Sequence, residues 1–290
     1  MNIKGHKRIR EQLTRSLEGG RIGHAYLFSG REGVGKRLVA LEFSLALLET
    51  KEERDILRVF KGIYPDFREV EPERGLISIE KIRGAQEWLS LAPMEGKRKV
   101  LLVNEAHTMN REAANAFLKS LEEPPPSSTI ILITSRASQL LPTILSRCQI
   151  LRFAPLTDRE VKEILVEKGI DPSQAEEIVP MAQGSAGKAL ELALGKGKKL
   201  LDYAQELYQG TLSPLSATEY RPWKREKEEV LRLLSFLRTM LKRDMERGEE
   251  LSSLWERHKL LARVEENLYQ YNLNPQLTLE YLELKWRTLE

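Results

Sequence analysis

Gly30-Arg31-Glu32-Gly33-Val34-Gly35-Lys36-Arg37 follows the outline of a phosphate-binding loop and breaks it at the last position. The working pattern, G-x-x-x-x-G-K-[ST], uses glycines so that backbone N–H groups can turn inward around phosphate oxygens. Its lysine reaches the terminal phosphates and its hydroxyl holds Mg²⁺. Arg37 stands at the hydroxyl position. A guanidinium has no lone pair for a metal and brings a fixed positive charge to the place where the metal would sit. The loop therefore points to the fold of a nucleotide hydrolase while putting its chemistry in doubt. Ala25-Tyr26-Leu27-Phe28-Ser29 reads as a short buried strand leading in, and residues 38–48 read as an apolar helix leading out. That order aims a helix N-terminus at an anion. Taken alone, the loop could also be an ordinary glycine-rich turn.

A chain of 290 residues is long enough for two or three domains, each with its own core. With 41% hydrophobic and 31% charged residues it reads as globular and soluble. The 46 basic and 43 acidic residues nearly balance, and a net charge of +3 gives no strong case for autonomous nucleic-acid binding. No apolar run approaches the roughly 18 residues of a membrane span, and residues 1–6 lack the apolar core of a signal peptide. A cytoplasmic location is expected. The lone cysteine, Cys148, excludes an internal disulfide and every multi-cysteine zinc site.

In the first half, short apolar runs alternate with helical stretches, the signature of a parallel sheet covered on both faces. Strands are expected at residues 26–29, 100–103 and 129–134, with an edge strand at 150–153. Helices are expected at 79–91 and 111–122, the second stopped by Pro124-Pro125-Pro126. From Pro155 the strands cease. Thr157-Asp158-Arg159-Glu160 opens a helix with capping-box spacing, and another helix follows at 173–182. Gly195-Lys196-Gly197-Lys198-Lys199 reads as a hinge, or equally as a solvated turn. Residues 200–209, 227–247 and 251–270 then carry apolar side chains at helical spacing, which makes the last third a helical domain.

Asn104-Glu105-Ala106-His107 follows the second strong strand, where a nucleotide hydrolase places an Asp-Glu pair. The first acid of that pair orders hydrated Mg²⁺ and the second polarises the attacking water. Asn104 lacks the charge, so the loop and the strand are altered on the same function. Further on stand Asn115-Ala116-Phe117-Leu118-Lys119-Ser120-Leu121-Glu122-Glu123-Pro124-Pro125 and Ile144-Leu145-Ser146-Arg147-Cys148. With the His24-Ala25-Tyr26-Leu27-Phe28 lead-in and the loop, these motifs resemble the bacterial clamp loaders of the AAA+ ATPase superfamily. The resemblance covers the first 190 residues strongly. It reaches the end weakly, through Asn274-Pro275-Gln276-Leu277-Thr278-Leu279-Glu280.

That resemblance implies an α/β AAA+ domain with a parallel sheet at residues 1–154, a small helical lid at 155–199 and an all-α collar at 200–290. Motor subunits of the family keep the loop hydroxyl, the strand Asp and an arginine in a Gly-Ser-x-Arg pattern. Here Gly184-Ser185-Ala186-Gly187 ends in glycine at that arginine's place, while Ser146-Arg147-Cys148 is intact. The resemblance is therefore to the subunit that gives an arginine to its neighbour's ATP and has no need of ATP itself. It assigns Arg147 as a catalytic finger acting in trans. Gly30, Gly33, Gly35, Lys36, Arg37, Asn104 and Glu105 become a degenerate nucleotide-binding set, with Lys36 and Glu105 as remnants that hold loop geometry. Taken alone, Arg147 would be a surface arginine in an ordinary salt bridge. No cofactor is expected to be required, binding of ATP or ADP is in doubt, and no metal site is expected. Related subunits carry a four-cysteine zinc module that residues 49–65 lack. The partners implied are gamma/tau and delta subunits in a hetero-oligomeric, pentameric ring, with the sliding clamp and primed DNA reached through the complex. A divergent but active ATPase remains the alternative.

Overall fold

Val100-Leu101-Leu102-Val103 and Ile130-Ile131-Leu132-Ile133 have no polar alternation, so strands made from them must be covered on both faces. The computed structural model describes residues 3–212, 227–248, 251–270 and 274–289. They form two compact units, Met1–Glu160 with Gly184–Gly187, and Val161–Gln183 with Lys188–Glu290.

In the first unit the chain runs through α1 (Lys7–Glu18), β1 (Ala25–Gly30), α2 (Lys36–Leu47), α3 (Glu53–Phe60), β2 (Phe67–Val70) and α4 (Ile79–Ser90). It continues through β3 (Lys99–Val103), α5 (Arg111–Glu122), β4 (Ser128–Thr134), α6 (Pro142–Leu145) and β5 (Gln149–Phe153). Every pairing is parallel, in the order β2-β3-β4-β1-β5. The two-residue alternation of each strand divides the core. Tyr26, Phe28, Leu102 and Ile131 share one cluster with Leu13 of α1, Val39 and Phe43 of α2 and Val59 of α3. Leu27, Leu101, Val103 and Leu132 share the other with Ile82 and Leu89 of α4 and Phe117 and Leu121 of α5. Each such side chain contributes about 1.5–3 kcal/mol on burial, so strands of four to seven residues are held by the two covered faces more than by their own propensity.

Local signals set the ends of α5. The Asn110 side chain accepts from Ala113 N at 2.8 Å, capping the helix, and Glu123 leaves the helical region (φ −124°, ψ 71°) because Pro124 follows it. The expected edge strand is β5, which pairs only with β1. β2 was not expected. Its Phe-Arg-Glu-Val run buries only its two ends and lies at the other sheet edge. Residues 49–65, where relatives were expected to carry zinc ligands, supply α3 instead.

The second unit is helical. Helix α7 (Asp158–Glu167) starts at the expected capping box, with Thr157 N donating to Glu160 Oε2 at 2.8 Å and Glu160 N to Thr157 Oγ1 at 3.3 Å. Then come α8 (Pro172–Ala182), α9 (Ala186–Ala193), α10 (Gly195–Tyr208) and helices Lys227–Glu246, Leu251–Gln270 and Pro275–Arg287. Their shared core includes Tyr203, Val230, Leu237, Leu261, Leu282 and Trp286. The hinge or turn expected at residues 195–199 is instead the start of α10. Composition misleads there because Gly197 lies against α9 so closely that a Cβ would come within 2.0 Å of the Glu191 carbonyl oxygen.

Asp66, fully buried just before β2, holds the turn leading into β3. Its carboxylate accepts from Met94 N, Glu95 N and Gly96 N at 2.7, 2.8 and 2.7 Å. Asp66→Ala should lower the urea midpoint by an amount equivalent to about 2–4 kcal/mol, since three donors lose a charged acceptor. Amide exchange should speed up at residues 94–96, and an unchanged midpoint would contradict this account.

Candidate functional site

Because the strands run parallel, the loop after β1, Asn104-Glu105 after β3 and Thr134 at the end of β4 share one edge of the sheet. The loop makes the turn the motif predicts. Gly33 and Gly35 have φ of +73° and +100°, and Gly35 is the N-cap of α2. Lys36 is 5% exposed and turned into its own loop, donating to Gly30 O at 2.7 Å and Arg31 O at 2.6 Å. Burial lowers its pKa, against the pull of Glu105 and Glu32.

Arg37 is also occupied. Its Nε and Nη2 donate to the two Glu69 oxygens at 2.6 Å each, and Nε lies 3.8 Å from Glu71 Oε1. The bond to Glu69 raises the guanidinium pKa above its ordinary value. The positive charge at the hydroxyl position is thus neutralised within the chain by a carboxylate on β2. Asn104 donates to Glu71 Oε1 at 3.5 Å and accepts from Glu105 N at 3.1 Å. Glu105 adopts a left-handed backbone (φ +51°), and its Oε2 lies 3.5 Å from His107 Nε2. His107 Nδ1 is 3.1 Å from Thr134 Oγ1, and burial lowers the imidazole pKa. A neutral ring protonated on Nε2 satisfies both contacts, accepting the threonine hydroxyl and facing Glu105 with a donor.

A third contact closes the loop from outside. Gly187 N donates to Gly33 O at 2.9 Å, and a Cβ on Gly187 would stand 2.8 Å from Gly33 Cα. The residue expected to replace a lid arginine is therefore one at which the backbone approach admits no side chain.

Arg147 lies apart from this group, between α6 and β5. Its Nη2 is 2.5 Å from Glu122 Oε1, and its Nη1 donates to Thr143 O at 2.9 Å and to Ser146 Oγ at 3.2 Å. Gln149 at the start of β5 pairs with Tyr26, four residues before Gly30, so β5 begins about 13 Å along the strands from the loop. Cys148 packs against the core, and burial pushes its thiol pKa up to about 12, which leaves it protonated and unreactive. Among the described residues, no group of three or more His, Cys, Asp or Glu side chains is arranged to hold a metal ion.

The structure thus brings Gly30, Gly33, Gly35, Lys36, Arg37, Asn104 and Glu105 to one sheet edge and sets Arg147 elsewhere. Sequence reading missed Glu69 and Glu71, the acceptors for Arg37, because β2 itself was not legible. It also missed Glu122 as the partner of Arg147, although the Leu-Glu-Glu-Pro-Pro run contains that residue.

A parallel sheet with a glycine loop after its first strand and a helical region after the sheet is an AAA+-type fold, here with Arg37 at the loop's last position. The family model described as DNA polymerase III, delta subunit, matches residues 5–157, and the chain belongs to that family. It is 36% identical over 193 residues to the DNA polymerase III subunit delta' of Bacillus subtilis (strain 168), covering 64% of this chain and 58% of that protein. It is 31% identical over 212 residues to the delta' subunit of Pseudomonas aeruginosa, covering 69% and 64%. With the tau subunit of Escherichia coli (strain K12) it shares 34% identity over 207 residues, 66% of this chain and 32% of tau. The matched region thus spans about three fifths of the delta' relatives' length. Among solved structures, a gamma subunit-related protein of DNA polymerase III from Thermotoga maritima superimposes with a TM-score of 0.55 at 23% identity, covering 96% and 98% of the two chains. The RuvB Holliday junction branch migration motor of Thermotoga maritima does so at 0.50 and 16% identity, covering 92% and 77%. These likenesses establish the fold.

Gly187→Ala should push the loop and residues 184–187 apart and lower stability by about 1–3 kcal/mol. Amide exchange in residues 30–37 should accelerate in step. A variant with wild-type stability and loop protection would show that the close approach is not needed.

Proposed function

We propose that this chain is a non-hydrolysing member of the clamp-loader ring, donating Arg147 to the ATP site of a neighbouring ATPase subunit. In this role it helps to open the sliding clamp and place it on primed DNA. The observation that carries the reading is the position of Arg147. It precedes a strand that starts about 13 Å from this chain's own loop, where Lys36 is bonded to two loop carbonyls and Arg37 is paired with Glu69. A phosphate contacted by Arg147 then belongs to another subunit. Phosphoryl transfer spreads negative charge over the terminal phosphate, and an arginine supplied from outside stabilises that charge in the transition state.

The same reading assigns three domains, an α/β domain at residues 1–154, a helical lid at 155–199 and a collar at 200–290 that packs with collars of other subunits. The partners are gamma/tau-type and delta-type subunits of a hetero-oligomeric, pentameric ring in the cytoplasm. Among the described residues no helix is long and apolar enough to cross a membrane. The chain needs neither nucleotide nor zinc of its own.

In the assembled complex, Arg147→Ala should slow hydrolysis at one neighbour's site by a factor of about 10³ to 10⁵ and impair clamp loading, with assembly and melting temperature nearly unchanged. Arg147→Lys should rescue poorly, since an ammonium lacks the planar fork. Unaltered hydrolysis in Arg147→Ala would overturn the proposal. The isolated chain should hydrolyse no ATP above background and contain no zinc by elemental analysis. Turnover dependent on Lys36 would establish the rival reading, an active ATPase.

A further inference from the structure

Among the arginines of the first unit that pair with carboxylates, Arg58 meets Asp55 and Glu95 through its two terminal nitrogens, while Arg10, Arg37 and Arg147 differ in how the Nε–Nη2 side edge is used. Arg10 grips Glu42 through Nε and Nη2 at 2.7 and 2.6 Å, and Arg37 grips Glu69 through the same two nitrogens. In each case the side edge of the guanidinium meets both carboxylate oxygens, the bidentate geometry that arginine forms best. Arg147 meets Glu122 through Nη2 alone, and its Nε–H is buried with no hydrogen-bond partner. Glu122 thus faces Nη2, and the Nε–H beside it is left unsatisfied. The Nη1 donors are spent on Thr143 O and Ser146 Oγ, which hold the guanidinium plane against α6 and the turn after it.

Glu122 is an unusual residue for its position. It is the last residue of α5, where the helix macrodipole disfavours a carboxylate, and the prolines that follow fix the place at which the helix ends. The pair is half-exposed, with the arginine side chain at 32% and the glutamate at 48%, so water and salt weaken it.

We infer that Glu122 is a positioning residue that holds Arg147 on its own chain until a phosphate group of the neighbouring subunit's nucleotide replaces it. The inference rests on the arginine-donation reading above. A phosphate offers two oxygens to the Nε–Nη2 edge where Glu122 fills one place. The exchange therefore satisfies the buried Nε–H and replaces one contact with two. Glu122 competes with the phosphate for the same edge before ATP is engaged, which weakens ATP binding and hydrolysis transition state alike. Removing such a competitor changes KM and leaves the chemical step alone.

The test is ATP hydrolysis as a function of ATP concentration by the complex assembled with the ATPase subunits of the same organism. It compares wild type, Glu122→Gln, Arg147→Ala and the double variant. Glutamine keeps the size and the acceptor oxygen and loses the charge. Glu122→Gln should lower the KM for ATP about two- to fivefold, the range set by an exposed ion pair, with the change in KM and not in kcat. In the Arg147→Ala background the same substitution should do nothing. A fall in kcat at constant KM would mean that Glu122 holds the arginine in its productive pose, and this outcome overturns the inference. So does an unchanged KM, or an effect that persists without Arg147. If Arg147→Ala itself leaves hydrolysis intact, the donation reading fails first, and that result is separate from the behaviour of Glu122.

Discussion

Strand β1 sits inside a wholly parallel sheet, hydrogen-bonded to β4 along one edge and to β5 along the other. Parallel pairing forces the C-terminal ends of all strands to one side, and any residue placed just beyond a strand arrives at that side whatever its distance in the chain. The loop, the Asn104-Glu105 pair and Thr134 meet for this reason. Arg147 is excluded from that meeting by the same constraint, because it lies at the N-terminal end of β5. A sheet with one antiparallel strand at this place would have brought the arginine to the chain's own loop. The separation of the glycine loop from Arg147 is thus a property of strand direction before it is a property of any side chain.

Much of this was legible from local pattern. The unbroken apolar runs at residues 100–103 and 129–134 identify buried parallel strands, and the capping box at Thr157 marks a helix start that the structure keeps. The weak edge strand at 150–153 was legible because Leu151 and Phe153 alternate toward the core. β2 was not legible, since Phe67 and Val70 flank two charged residues and four residues give no period to recognise. The consequence reached the site. Glu69 lies 32 residues from Arg37 in the chain and meets it only because β2 pairs with β3. No spacing rule announces such a contact.

Glycine misled in one place and informed in another. At Gly197 it looked like flexibility and serves close packing of two helices, while at Gly187 it looked like the loss of an arginine and is also the condition for backbone contact with Gly33. Both cases turn on the missing Cβ, which a sequence displays without saying whether freedom or proximity requires it. A side chain at residue 187 and the close contact with Gly33 exclude each other.

The strengths of the ion pairs separate the cations that stay from the one that can leave. Lys36 is almost fully buried and bonded to two carbonyls of its own loop, so a phosphate entering there would have to break both bonds. Arg37 is gripped at two points by Glu69, whose side chain is only 11% exposed, and removing such a partner leaves a poorly solvated charge behind. Arg147 is gripped at one point by a carboxylate that is nearly half exposed and can return to water at little cost. Within one domain, then, the same residue type is held as a structural cross-link at one edge of the sheet and as an exchangeable ligand near the other. What distinguishes the two is the burial of the carboxylate and the number of oxygens it offers, rather than anything in the arginine itself.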